Sequence, residues 1–179
     1  MSNVLKIVII LATFILTWRF SQYSVTYKLT NVNCASHNKS WVTINECRLK
    51  AINRNRTVFN FNATFHHPTN DVVVDYRFLK RENGYKPWLY KKSVDGCRFI
   101  KKPYDMLSIL IYMVFKPFSN INHTCPYYVN ILIRGMYLRT EIKAMPYPSG
   151  KYMLQINWKF YQKLQFVTNI SYDFIENLL

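Results

Sequence analysis

TVFNFNATF, residues 57–65, decides the fold. Phe59, Phe61, Ala63 and Phe65 fall on one side of an extended chain, and Val58, Asn60, Asn62 and Thr64 on the other. Side chains that alternate with period two and leave one apolar face mark a half-buried β-strand. The same alternation recurs outward from this point. YMLQINWKFYQ (152–162) sets Tyr152, Leu154, Ile156, Trp158 and Phe160 against Gln155, Asn157 and Lys159. VVVDYRFLK (72–80) sets Val72, Val74, Tyr76 and Phe78 against Val73, Asp75 and Arg77. LQFVTNISY (164–172) predicts Leu164, Phe166, Thr168 and Ile170 inside and Asn169 outside. CRLKA (47–51) pairs Cys47, Leu49 and Ala51 against Arg48 and Lys50, and VNILIRGMYL (129–138) puts Val129, Ile131, Ile133 and Tyr137 on one side. Turn signals at 66–71, 82–87, 94–96 and 145–150 separate these runs. Roughly seven to nine short strands so spaced predict a mainly β protein, an antiparallel β-sandwich.

One stretch breaks the pattern. PYDMLSILIYMVFK (103–116) is apolar at every position from 106 to 115 except Ser108. Its length, with Pro103 at a first helical position and Pro117 as a stop, predicts one short helix rather than a buried strand. A helix apolar around its whole circumference must be buried or must face something apolar. Met106 and Met113 are flexible side chains suited to lining an irregular cavity.

Compartment is read from the N-terminus. VLKIVIILATFILTW (4–18), broken only by Lys6, is expected to be a secretory signal peptide occupying 1–24, with a signal anchor as the competing reading. Residues 25–179 then form a single secreted, extracellular domain. Five sequons fit that compartment, at Asn38, Asn55, Asn62, Asn122 and Asn169. Four cysteines in an oxidising lumen are expected to form two disulfides. Of three pairings, Cys34–Cys47 and Cys97–Cys125 are favoured because each joins neighbouring segments. His123, in PFSNINHTCPY (117–127), is then the middle residue of a sequon, and no spacing of His37, His66, His67 and His123 suggests a metal site.

No nucleophile elbow, zinc-binding helix motif or phosphate-cradling glycine loop is present, and the acids are scattered, so neither catalysis nor a cofactor is expected. The net charge is +15. It is densest at 80–102, where Lys80, Arg81, Lys86, Lys91, Lys92, Arg98, Lys101 and Lys102 face only Glu82 and Asp95. Such a stretch attracts an acidic receptor, an anionic head group or a membrane surface, or it simply keeps the protein soluble. Nucleic acid is not expected outside the cell.

The segments YKLTNVNC (27–34), NGYKPWLY (83–90), VDGCRFIK (94–101) and FKPFSNINHTCPY (115–127) resemble an insect-expanded family of small secreted proteins of unknown function. That family is distantly similar to the ML lipid-recognition superfamily and to the CheB proteins of fly gustatory hairs. The resemblance implies an immunoglobulin-like β-sandwich whose sheets splay to admit a lipid, a disulfide framework of the four cysteines, and no catalytic residues. Two functions follow as expectations. The first is a lipid- or hydrophobe-binding protein, in chemosensory or extracellular lipid signalling. Its cavity is expected to form from Phe59, Phe61, Phe65, Ile131 and Ile133, from Leu154, Ile156 and Trp158, and from Met106, Leu110 and Met113. The alternative is a glycosylated interaction module with a filled core and a basic binding face; an antimicrobial role ranks last.

Overall fold

The computed structural model describes residues 6–7, 24–54, 56–139 and 148–177. Most of the expected signal peptide, the sequon asparagine Asn55 and residues 145–147 of the last turn lie outside the described residues. Among the described residues from 24 onward the protein is mainly β, with eight strands in two antiparallel sheets and two short helices, consistent with a β-sandwich. The strands are β1 (Ser24–Ser36), β2 (Val42–Asn53), β3 (Arg56–Thr69), β4 (Val72–Glu82), β5 (Gly84–Asp95), β6 (Tyr127–Met136), β7 (Gly150–Phe160) and β8 (Lys163–Asn177). One sheet runs β1-β8-β7-β4-β5 and the other β2-β3-β6. Between β5 and β6 lie α1 (Gly96–Lys101), α2 (Met106–Phe115) and a 3-10 turn at Lys116–Phe118.

Alternation places the apolar faces of β3, β7 and β8 between the sheets, and their aromatic rings meet there. Phe65 of β3 meets Phe160 of β7 at 4.9 Å between ring centroids, and Phe61 stacks on Phe166 of β8 at 6.1 Å. Burying rings of this size contributes on the order of 1.5–3 kcal/mol each. Cys34–Cys47 bridges the end of β1 to the middle of β2, one strand from each sheet. Cys97–Cys125 ties α1 to the segment before β6. Both expected disulfides are thus formed.

Strict alternation fails wherever the chain bulges. Leu164, expected inside, is 37% exposed. The tight turn before it holds Tyr161 and Gln162 at positive φ, and the register steps from Lys159↔Leu164 to Trp158↔Phe166, so Gln165 is the extra residue and is buried. Val129, also expected inside, has φ +67° and is 55% exposed, at a register break between β3 and β6. Gly135 at φ +67° shifts the phase of β6 again and turns Met136 into the core. Positive φ is costly for a side chain with a Cβ, which makes glycine the natural residue there.

Two strands were not foreseen. β1 is an edge strand of mixed polarity. β5 follows β4 through Asn83, with Gly84 at φ +94°, and its register jumps from Arg77↔Lys91 to Leu79↔Pro87. Trp88, Leu89 and Tyr90 therefore bulge opposite Phe78 alone, and period two is lost. The helix begins later than Pro103 implied, with Asp105 as its N-cap.

Candidate functional site: an apolar chamber roofed by a helix

The aromatic rings of β3, β7 and β8 do not fill the space between the sheets, and α2 closes over what remains. Its N-terminus is fixed by one carboxylate. Asp105 Oδ1 accepts from Ser108 N at 2.9 Å, from Ser108 Oγ at 2.7 Å and from Tyr76 OH at 3.4 Å, while Oδ2 pairs with Lys92 Nζ at 3.4 Å. The bond from Ser108 N satisfies one of the helix-end donors that otherwise lack partners. Hydrogen bonds from the Ser108 hydroxyl and backbone, with Lys92 nearby, hold the Asp105 carboxyl below its ordinary range. Burial pushes the Tyr76 hydroxyl up to about 12. Ser108, the one polar residue of the apolar run, is buried for this reason: it is bonded on the inner face, 2.9 Å from Tyr76 OH.

Beneath α2 lies a chamber of about 140 Å³. Its floor is Phe59, Phe61, Phe65, Ile131 and Ile133 from one sheet and Ile156, Trp158, Phe160 and Phe166 from the other. Its roof is Ser108, Ile111, Tyr112 and Phe115 of α2, and Phe99 and Ile100 of α1 and Ile121 also line it. A second chamber of about 70 Å³ lies on the other flank of the helix, between Leu110, Val114, Phe78 and Leu154. Ile111, Phe115 and Ile170 line both. Among the described residues no charged side chain lines either. The tyrosine hydroxyls at the main chamber are engaged with the protein: Tyr112 OH donates to Ile121 O at 2.7 Å and Tyr127 OH to His123 O at 2.6 Å. Burial raises the Tyr127 hydroxyl to about 12 as well. The site can therefore exclude water and hold apolar groups.

The expected cavity residues divide. Phe59, Phe61, Phe65, Ile131, Ile133, Ile156 and Trp158 line the main chamber, and Leu110 and Leu154 the smaller one. Met106 and Met113 line neither and are corrected: they are 73% and 62% exposed on the outer face of α2. Sequence reading missed Ile111, Tyr112 and Phe115. Their signal was Ser108, since positions three, four and seven residues on share its face.

Of the remaining residues, Asn38 and Asn122 are exposed or part-exposed at turns, and Ser40 Oγ donates to Asn38 Oδ1 at 2.7 Å. Asn62 sits half-buried on the outer face of β3, where Asn45 Nδ2 reaches its Oδ1 at 3.4 Å. Asn169, expected on an open face, is half-buried between Asn33 and Gln155, with its Oδ1 enclosed. His123 packs against Tyr127 at 4.7 Å between ring centroids. The basic residues split along the β4–β5 hairpin. Lys80, Arg81 and Lys86 lie near its tip beside Glu82, whereas Lys91, Lys92, Arg98, Lys101 and Lys102 lie at the end next to α1 and α2.

No curated protein matches the chain. Residues 74–154, the stretch that runs from β4 through both helices and includes the whole chamber roof, match the model of a family described as protein of unknown function, DUF1091.

Proposed function

We propose that this is a secreted, non-enzymatic protein that binds a small hydrophobic ligand between its sheets, under α2. The observation that carries the reading is the main chamber: about 140 Å³, with no charged side chain among its described lining residues, where a sandwich core is ordinarily filled. A cavity of about 150 Å³ in a protein core is large enough to take up benzene. Burial of apolar ligand surface at about 25 cal/mol per Å² supplies the driving force. The resemblance to the ML superfamily and to CheB proteins supports the same reading, with an immunoglobulin-like sandwich, a lipid-like ligand and a chemosensory or extracellular signalling role. Two disulfides, and the lack of a helix long and apolar enough to span a membrane among the described residues, are compatible with secretion.

Native mass spectrometry of the secreted, deglycosylated protein, followed by solvent extraction, tests this. A stoichiometric apolar molecule is expected, either co-purified or taken up on incubation with fatty acids, sterols or hydrocarbons. Protein that stays bare throughout overturns the reading in favour of an interaction module.

A further inference from the structure

The outer face of α2 is as apolar as its inner face. Met106 and Met113 lie two turns apart on one side of the helix, and they are the most exposed residues of the element. Tyr104, one residue before the cap, is also exposed. Cations lie on the neighbouring α1 and at both ends of α2. Arg98, Lys101 and Lys102 are exposed on and after α1, with the Arg98 guanidinium 5.0 Å from the Tyr104 ring. Lys92 stands beside the N-cap, and Lys116 closes the C-terminal end, 5.8 Å from the Tyr112 ring. Two acids lie near them: Asp95, whose Oδ1 accepts from Arg98 N as the α1 cap, and Asp105, which pairs with Lys92 and offsets that cation. Between residues 83 and 139 these are the only two acids, against nine lysines and arginines.

We propose that this face docks on an anionic phospholipid surface, with the Met106–Met113 stripe entering the head-group boundary and the neighbouring cations meeting lipid charge. Apolar side chains flanked by lysine and arginine suit that boundary, because hydrophobic burial and attraction to acidic lipids act together there. An acidic protein explains the cations but leaves two methionines exposed without a role. This deepens the ligand-binding reading and rests on it for its purpose: the docked helix is the chamber's roof, so docking sets the ligand's way out against the bilayer.

The test is co-sedimentation of the intact protein with phosphatidylcholine vesicles, with and without phosphatidylserine, at low and high salt. Binding is expected to require phosphatidylserine and to weaken with salt. Met106→Ser with Met113→Ser is expected to weaken vesicle binding by about ten-fold or more, since each loses a buried apolar side chain. Lys101→Glu with Lys102→Glu reports the charge term, and a retained cooperative thermal transition in each pair checks that the fold is kept. Unchanged binding by the serine pair, equal binding to neutral vesicles, or no vesicle binding overturns the proposal. So does salt-sensitive capture by an acidic polypeptide alone, or self-association in sedimentation that the serine pair abolishes. Ligand uptake measured without vesicles separates the two readings, because it stands or falls independently of vesicle binding.

Discussion

Asp105 carries more structure than any other single side chain at the roof. It caps α2, binds Ser108 twice, and reaches β4 through Tyr76 and β5 through Lys92. Replacing an N-cap aspartate by alanine costs about 0.5–2 kcal/mol, and here the partners Tyr76 and Ser108 also lose an acceptor. Asp105→Ala is therefore expected near the upper end of that range in denaturant unfolding, and Asp105→Asn is expected to recover part of it. The pH dependence has a definite sign. The folded carboxyl sits below its ordinary value of 3.8, so its contribution is complete above that value and is lost as pH falls through the lowered one. At the alkaline end, Tyr76 and Tyr127 ionise near 12 when folded but near 10 when unfolded, so stability falls across that interval. Ultraviolet titration of the folded protein should show Tyr76 and Tyr127 titrating late, with Tyr112 and Tyr152 also moved upward by burial. None of this was legible in the sequence. Ser108 read as the flaw in an apolar run, because nothing local announces a partner on another strand.

At the scale of elements, legibility followed burial on one face. β3, β4 and β7 were read closely because each has core on one side and solvent on the other, so period two survives in the sequence. β5 hid behind its bulge and its charges. The inner face of α2 hid because both faces are apolar, and periodicity cannot choose a side when no side is polar. The disulfide pairing was favoured by the sequence but not decided by it: three pairings were open, and the one formed joins neighbouring segments. Cys97–Cys125 encloses the whole roof, with α1, α2 and the segment carrying Ile121 between its ends. Its sequence separation is 28, for which chain-entropy estimates give about 3–4 kcal/mol. Cys97→Ser with Cys125→Ser is expected to lower stability by that order. It is also expected to speed hydrogen exchange in α2 more than in β7 and β8, because the aromatic contacts between the sheets do not depend on this link. Equal acceleration everywhere would mean that the bridge stabilises the whole sandwich and not its roof.

For the whole molecule, the central question is why a sandwich with so many large aromatic residues leaves space between its sheets. Left unfilled, a chamber of about 140 Å³ costs about 3 kcal/mol at roughly 24 cal/mol per Å³. Against a net stability of about 5–15 kcal/mol, that is a large concession for a core with no use for the space. A larger side chain should then recover stability and remove binding together. Ile156 is buried at the centre of β7, paired with Tyr76 and Thr168, and lines the main chamber. Ile156→Phe grows into that space without adding a polar atom, and filling a cavity commonly yields about 0.5–2 kcal/mol. The expected result is a higher denaturation midpoint at an unchanged m-value, with loss of hydrophobic ligand uptake. A stabilised variant that still binds would place the ligand outside this chamber. A destabilised variant would mean the surrounding side chains are packed too rigidly to admit a ring, and Val74→Leu, at another lining position, then repeats the test with a smaller increment.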